Sequence, residues 1–293
     1  MLKPESWGVT ALVVLALASG SSLYAAAPMA KVQPGVRLYT LDCGHYAQTD
    51  MRVLSDTGEY DGKTGSLAGP CFLIRHSKGL MLWDTGDPNP QAKLEPGANP
   101  VSTPTKPLGV TLVSQLKMLG IYPEDITYVA FSHLHGDHVG NAALFRSATW
   151  ILSRKELDWA MKNPLGSSGP EFIAAYKNAK TQILDPEYNL EKDYDVFGDG
   201  RVKILNTPGH TPGSLSLEVK LERSGTVILT GDLFQTRENR KYRRVPEENF
   251  SRAESLASMD RIEAIAKITR ARVIVQHDEE DFESLPKFPR FLD

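Results

Sequence analysis

Cysteine is nearly absent from the 293 residues: Cys43 and Cys71 are the only two. They form no C-x-x-C pair, which disfavours thiolate ligation of a metal. A chain of this length can bury a sizeable core, so it needs no disulfide scaffold to fold. An excess of one charge is missing too. Lys+Arg 33 against Asp+Glu 36 leaves a formal net charge of −3, which excludes the basic surplus of a general nucleic-acid binder. Balanced charge with 41% hydrophobic residues likewise excludes a disordered chain. No low-complexity tract, internal repeat or second long apolar run follows residue 30. Histidine is scarce, with seven in all, but three of them fall within residues 133–138.

The single apolar run, VTALVVLALAS at residues 9–19, follows Lys3 and precedes small residues. It is shorter than the roughly 20 residues that span a bilayer and fits the core of a secretory signal peptide. We therefore expect residues 1–27 to be a signal peptide, cut within residues 22–30, leaving no stable membrane insertion; the alternative is an uncleaved anchor. Export would place Cys43 and Cys71 in an oxidising compartment. Their sequence context leaves a structural disulfide and two buried thiols equally open.

Past residue 31 no composition shift marks a boundary, so residues 31–293 are expected to form one domain. Strand signals fall at residues 37–42, 71–75 and 80–83, the last two forming a hairpin through Ser77-Lys78-Gly79. A helix is expected from residue 112 to the stop at Gly120. Residues 126–131 and 149–152 read as strands, and 153–180 as helical around a loop at 163–170. Residues 202–205, 216–221 and 226–230 read as strands, 252–268 as a helix and 272–275 as a last strand. Alternating strands and helices argue for a layered α/β domain.

Four polar segments follow four of these strands. They carry His133, His135, Asp137 and His138, then His210, then Asp232, then His277. A lone histidine is usually a hydrogen-bonded structural residue, which is our reading of His45 and His76. Three histidines and an aspartate within six residues would be costly to pack together without a cation. Imidazole and carboxylate suit zinc, with iron, manganese and cobalt also compatible. One ion takes three or four protein ligands, so seven donors fit two ions sharing a bridging carboxylate.

At these residues the chain resembles the metallo-β-lactamase superfamily. SHLHGDHVGN matches its HxHxDH motif, TPGHTPGS its third-histidine loop and TGD its bridging aspartate. The resemblance implies an αββα four-layer sandwich with the metals at one edge. It places His133, His135 and His210 on the first ion, Asp137, His138 and His277 on the second, and Asp232 between them. Asp84, in the Asp84-Thr85-Gly86 turn, would orient a ligand histidine; capping its own turn is the alternative.

Within the superfamily, His135 stands where flavodiiron oxidoreductases carry Glu, and Asp232 is generally missing from zinc β-lactamases. Thioesterases of the glyoxalase II type keep that aspartate. The segments QHDEEDF and GDLFQTREN and the helical insert at 153–180 are most similar to N-acyl-homoserine lactonases. One position departs: the lactonases have a tyrosine three residues after the bridging aspartate, and here it is Gln235. An amide donates a hydrogen bond but is no proton source. Tyr242 is a nearby substitute by sequence.

The resemblance implies a dinuclear metal-dependent hydrolase that opens the lactone ring of N-acyl-homoserine lactones, a quorum-quenching activity, with Asp137 passing a proton to the leaving oxygen and Gln235 orienting the carbonyl. The alternatives are a thioesterase, arylesterase or β-lactamase on the same scaffold, or a noncatalytic metal-binding protein. The basic run at 237–244 reads as a solvated loop because Glu238, Glu247 and Glu248 accompany it. Trp150, Trp159, Phe172 and Tyr176 are candidates for an acyl pocket, with core packing as the alternative for at least two of them.

Overall fold

The computed structural model describes residues 35–88, 103–104, 110–163, 169–185 and 193–293. The expected signal peptide and part of the loop before residue 107 lie outside these. Residue contacts gather Pro34–Asp293 into one compact unit. Among the described residues, no helix is long and apolar enough to cross a membrane.

The first sheet takes β1 (Arg37–Asp50), β2 (Thr64–His76), β3 (Gly79–Trp83), β4 (Thr103–Pro104), β5 (Tyr128–Ala130), β6 (Thr149–Ser153) and β7 (Lys180–Leu184). The second takes β8 (Tyr194–Asp195), β9 (Val202–Asn206), β10 (Leu215–Leu221), β11 (Gly225–Leu229) and β12 (Arg272–Ile274). A last strand, β13 (Phe291–Leu292), returns to the edge of the first sheet beside β1. The first sheet runs β13-β1-β2-β3-β5-β6-β7, with β4 also paired to β1; the second runs β12-β11-β10-β9-β8. The helices are α1 (Leu112–Met118), α2 (Gly136–Val139), α3 (Arg154–Lys162), α4 (Gly169–Tyr176), α5 (Arg237–Tyr242), α6 (Arg252–Thr269) and α7 (Glu279–Ser284).

Strand alternation decides the layering. Phe72, Ile74, Met81, Trp83, Ala130 and Ile151 of the first sheet meet Ile204, Leu217, Val219, Val227 and Leu229 of the second in one buried cluster. Their neighbours Leu73, Leu82, Val129, Trp150 and Leu152 face outward onto Leu112, Leu116, Leu157 and Phe172 of α1, α3 and α4. On the other side Leu205, Ile228 and Val273 pack on Met259, Ile262 and Ala266 of α6. The result is an αββα sandwich. Both faces of the central strands are covered, which explains their continuous apolar runs.

Several expectations change. β1 continues eight residues beyond the expected end at residue 42, through a CGHYAQTD stretch with no apolar alternation; register shifts in its pairing with β2 accommodate this. The helical reading of 153–180 stops at Tyr176, and Lys180 begins β7, parallel to β6. Residues 237–242 are helix α5 rather than a loop. Thr236 caps it, and its arginines are paired: Arg237 with Asp278, Glu280 and Asp281, and Arg240 with Glu263, as is the following Arg243 with Asp260. Residues 279–284 form α7, capped by Asp278, where no helix was expected. Cys43 and Cys71 form a disulfide between β1 and β2, which resolves the two readings of that pair.

Candidate metal centre

Five connections leave strand ends along one edge of the sandwich. β3 runs into Asp84, β5 into Ser132–His138, β9 into Thr207–His210, β11 into Asp232 and β12 into His277. A strand end is rigid while the loop beyond it is free to turn, so residues distant in sequence can converge.

They converge as two groups. His133, His135, His210 and Asp232 each offer a donor atom within 4.8 Å of the others, and so do Asp137, His138 and His277. In the first group His135 Nδ1 lies 2.9 Å from His133 Nε2 and 3.1 Å from His210 Nε2. In the second, Asp137 Oδ2 lies 3.5 Å from His138 Nε2 and 3.7 Å from His277 Nε2. Asp232 stands between them. Its Oδ2 is 3.5 Å from His210 Nε2 and 3.8 Å from His133 Nε2. Its Oδ1 is 3.2 Å from His138 Nε2 and 3.1 Å from His277 Nε2. Asp137 and His138 sit on the short helix α2 rather than in an irregular loop.

The residues fit a pair of cations. His138 Nε2 and Asp232 Oδ1 are both buried and lack a hydrogen-bond partner, although they lie only 3.2 Å apart. Atoms so placed share a point in front of them instead of facing each other. The protonation pattern agrees. Burial pushes His133 well below the ordinary imidazole range, lowers His135 and lowers His210 to about 3. All three are thus neutral, the form that ligates metal. Burial also opposes charge on His138 and His277, but carboxylates outweigh it. Asp137, Asp232 and Asp84 raise His138 well above its usual value, and Asp232 and Asp137 raise His277 to about 9. Burial opposes ionisation of Asp232, yet His277, His138 and His133 hold it well below the carboxylate range. Protons on two histidines thus balance a carboxylate cluster that a divalent cation would balance instead.

Asp84 is buried with a left-handed backbone, φ 59°. That region costs an aspartate less than most residues. Gly86, also left-handed, packs its Cα on the disulfide; a Cβ there would lie 2.4 Å from Cys43 Cβ. The Asp84 carboxylate does not cap its own turn. It accepts hydrogen bonds from Ser132 N (2.7 Å), Ser132 Oγ (2.9 Å) and Gln276 Nε2 (2.7 Å), and it lies 2.9 Å from His138 Nδ1. His277 is fixed in the same way, its Nδ1 2.7 Å from the Ala68 carbonyl.

Glu156 and Tyr46 are among the residues without a sequence signal. Glu156, on α3, is buried, and burial raises its pKa. Its carboxylate accepts from Leu134 N (2.9 Å) and Gly213 N (3.0 Å), tying the HxHxDH loop to the His210 loop. Nothing local distinguishes it from any other helical glutamate. Tyr46, from the unforeseen part of β1, packs edge-on against His277 with ring centroids 6.2 Å apart. Burial, then the Asp137 and Asp87 carboxylates, keep its phenol protonated well above the ordinary range.

A cavity of about 300 Å³ opens beside the two groups. His135, Asp137, His210, Asp232, Gln235 and His277 form its polar floor, and Val53, Leu54, Leu67 and Pro246 supply apolar walls, with Tyr46, Thr49 and Glu248 completing the lining. The turn at Met51–Leu54 is held over the cavity by Asn239, whose Nδ2 donates to Leu54 O (2.7 Å), and by Glu247 N donating to Val53 O (2.9 Å). No Lys or Arg lines it among the described residues. Gln235 is buried, and its Nε2 donates to Asp232 Oδ2 (3.1 Å). Tyr242 is 54% exposed and lies outside. Trp150 and Phe172 are core residues, and Trp159 and Tyr176 pack against the same cluster, so none of the four expected acyl-pocket aromatics lines the cavity.

A profile of the Metallo-beta-lactamase superfamily matches residues 64–277. The N-acyl homoserine lactonase AttM of Azorhizobium caulinodans is 30% identical over 266 residues, 88% of this chain and 99% of that one. The N-acyl homoserine lactonase AiiA of Bacillus thuringiensis subsp. kurstaki is 31% identical over 236 residues, 79% and 89% of the two chains. A solved N-acyl homoserine lactone hydrolase, with N-hexanoyl-L-homoserine bound at its catalytic metal centre, superposes with a TM-score of 0.74 at 28% identity. That match covers 87% of this chain and 98% of that one.

Proposed function

The chain belongs to the metallo-β-lactamase superfamily, and from that premise we propose that it is a dinuclear metal-dependent hydrolase that opens the ring of N-acyl-homoserine lactones. One observation carries the reading: Asp232 turns one carboxylate oxygen toward each donor group. Seven donors shared between two ions leave positions open, unlike a closed four-ligand structural site. His133, His135 and His210 would hold one ion, Asp137, His138 and His277 the other, and Asp232 both; zinc suits this donor set. When bound, such a pair supplies Lewis acidity toward a carbonyl oxygen and toward water at neutral pH.

The chain's own residues do the rest. Asp84 and the Ala68 carbonyl orient His138 and His277, so the donors are preorganised. Asp137 is partly exposed at the cavity floor and is placed to pass a proton to the ring oxygen as it leaves. Gln235 steadies Asp232, and its place in the cavity also lets it meet the substrate carbonyl. Val53, Leu54, Leu67 and Pro246 offer an acyl chain an apolar wall. Among the described residues no Lys or Arg lines the cavity while Glu248 does, which favours an uncharged substrate over an anionic β-lactam or glutathione thioester. The lactonase names of AttM and AiiA support the same choice.

We also infer export, to the periplasm or the medium, with residues 31–293 as the mature domain. The apolar run at 9–19 and the Cys43–Cys71 disulfide support it.

The test is a substrate panel offered to the zinc-loaded protein: a short- and a long-chain acyl-homoserine lactone, an aryl ester, a glutathione thioester and a β-lactam. Lactone opening that His135→Ala abolishes is the expected result. Cleavage of the thioester or β-lactam with the lactones untouched would reject the substrate. Two bound ions with no turnover at all would instead favour the metal-binding alternative.

A further inference from the structure

One carboxylate of the cavity has no part in the chemistry described so far. Glu248 lines it together with His135, His210 and Gln235, and is exposed to solvent. Its side chain forms no hydrogen bond or ion pair among the described residues. Burial lowers the His135 pKa, and the Glu248 charge is among those that oppose the shift. The backbone around Glu248 is pinned on both sides. Glu247 N donates to Val53 O (2.9 Å), Phe250 N to His210 O (3.0 Å) and Ser251 N to Gly209 O (2.9 Å). Glu248 thus stands between the apolar wall of Val53, Leu54 and Pro246 and the loop that carries His210. The neighbouring Glu247 side chain pairs with Arg52 on the surface instead.

An N-alkanoyl-homoserine lactone has the same order along its length: ester ring, amide, alkyl chain. Its amide N–H is its one hydrogen-bond donor. Other acceptors in the lining are occupied or weaker. Asp137 and Asp232 belong to the two donor groups. Thr49 is buried with its hydroxyl turned to Tyr46 O. Gln235 offers a neutral oxygen, a weaker acceptor than a carboxylate.

We propose that Glu248 sets the specificity for the amide: its carboxylate accepts a hydrogen bond from the substrate N–H while the ester carbonyl lies at the two donor groups. The proposal rests on the lactonase reading above. The amide takes no part in ring opening, so the bond is the same in the bound substrate and in the transition state. Such a bond lowers KM and leaves kcat nearly unchanged. Solvent reaches Glu248, so a substrate without the donor strands no buried charge, and the discrimination is moderate.

Zinc-loaded wild type, Glu248→Ala, Glu248→Gln and Glu247→Gln are assayed for ring opening on two lactones. One is N-hexanoyl homoserine lactone, the other its isostere with CH2 in place of the amide N–H. Wild type is expected to favour the amide about 10-fold in kcat/KM. Glu248→Ala raises KM for the amide about 10-fold, keeps kcat within about threefold, and moves KM for the isostere less than about twofold. Glu248→Gln keeps a neutral acceptor and falls between. Glu247→Gln behaves as wild type, and all variants keep its zinc content and melting temperature. An equal change on both lactones in Glu248→Ala overturns the proposal, because the carboxylate then acts through its charge on His135. A wild type that opens both lactones with equal kcat/KM overturns it too, and in both cases the lactonase reading stands. A wild type that cleaves an aryl ester but opens neither lactone rejects that reading and the proposal with it.

Discussion

His138 and His277 carry protons in the metal-free site because Asp137 and Asp232 press on them from one side, and Asp84 presses on His138 from the other. His133, His135 and His210 are the reverse case, held neutral by burial. These opposed shifts set the pH dependence of the metal-free protein. A raised imidazole contributes stability that is complete below its unfolded value near 6.5 and is lost as pH rises through the folded value, about 9 for His277. A lowered imidazole contributes stability present above 6.5 and lost as pH falls toward its folded value, about 3 for His210. The melting temperature of the metal-free protein is therefore expected to peak near pH 6.5 and to fall on both sides. Zinc should flatten the alkaline side, because the ion replaces the protons on His138 and His277. A melting temperature that climbs steadily from pH 6.5 to 9 without metal would contradict this charge pattern. At this scale the histidine spacing in SHLHGDHVGN is visible in the sequence. Ser132, Gln276 and Tyr46 are not, because a single hydroxyl, amide or phenol carries no local pattern that separates a site residue from an ordinary one.

At the scale of elements, the site is a set of strand ends whose loops are tied together sideways, and Glu156 makes the main tie. Its two oxygens serve one backbone N–H on each of two histidine loops. Glu156→Ala leaves both buried donors unpaired and is expected to cost about 3 kcal/mol, a fall of roughly 6–12 °C in melting temperature, with reduced zinc retention. Glu156→Gln keeps one acceptor and should cost about half as much. Equal melting curves and zinc content for wild type and the alanine variant would show that the loops hold themselves. The strands that feed these loops were readable from apolar runs and turn residues. β1 was read too short because residues 43–50 pair through register shifts instead of alternating. β7 was read as helix because its exposed KTQ start offers no apolar face. α5 looked like a solvated loop because the sequence gives no hint that Glu263, Asp260 and Asp281 neutralise its cations.

At the scale of the molecule, two sheets pressed face to face deliver all five loop ends to one edge. The sequence shows α/β alternation but not which strands share a sheet. That partition follows from which strand faces become buried against which, as when β12 joins β11 in parallel to close the second sheet. The disulfide links β1 and β2 behind the turn that carries Asp84, so the long first strand and the metal loops share one support. The turn over the cavity and the start of α5 close the apolar wall from the side. The whole arrangement converges on Asp232, where two ions sharing its carboxylate would make a lactone-opening site. The most direct measurement is turnover of N-hexanoyl homoserine lactone as zinc is titrated into the metal-free protein. Activity is expected to rise to two equivalents of zinc and then level off, and Asp232→Ala to abolish it. Full activity at one equivalent, or two tightly bound zinc ions with the lactone left closed, would contradict this expectation.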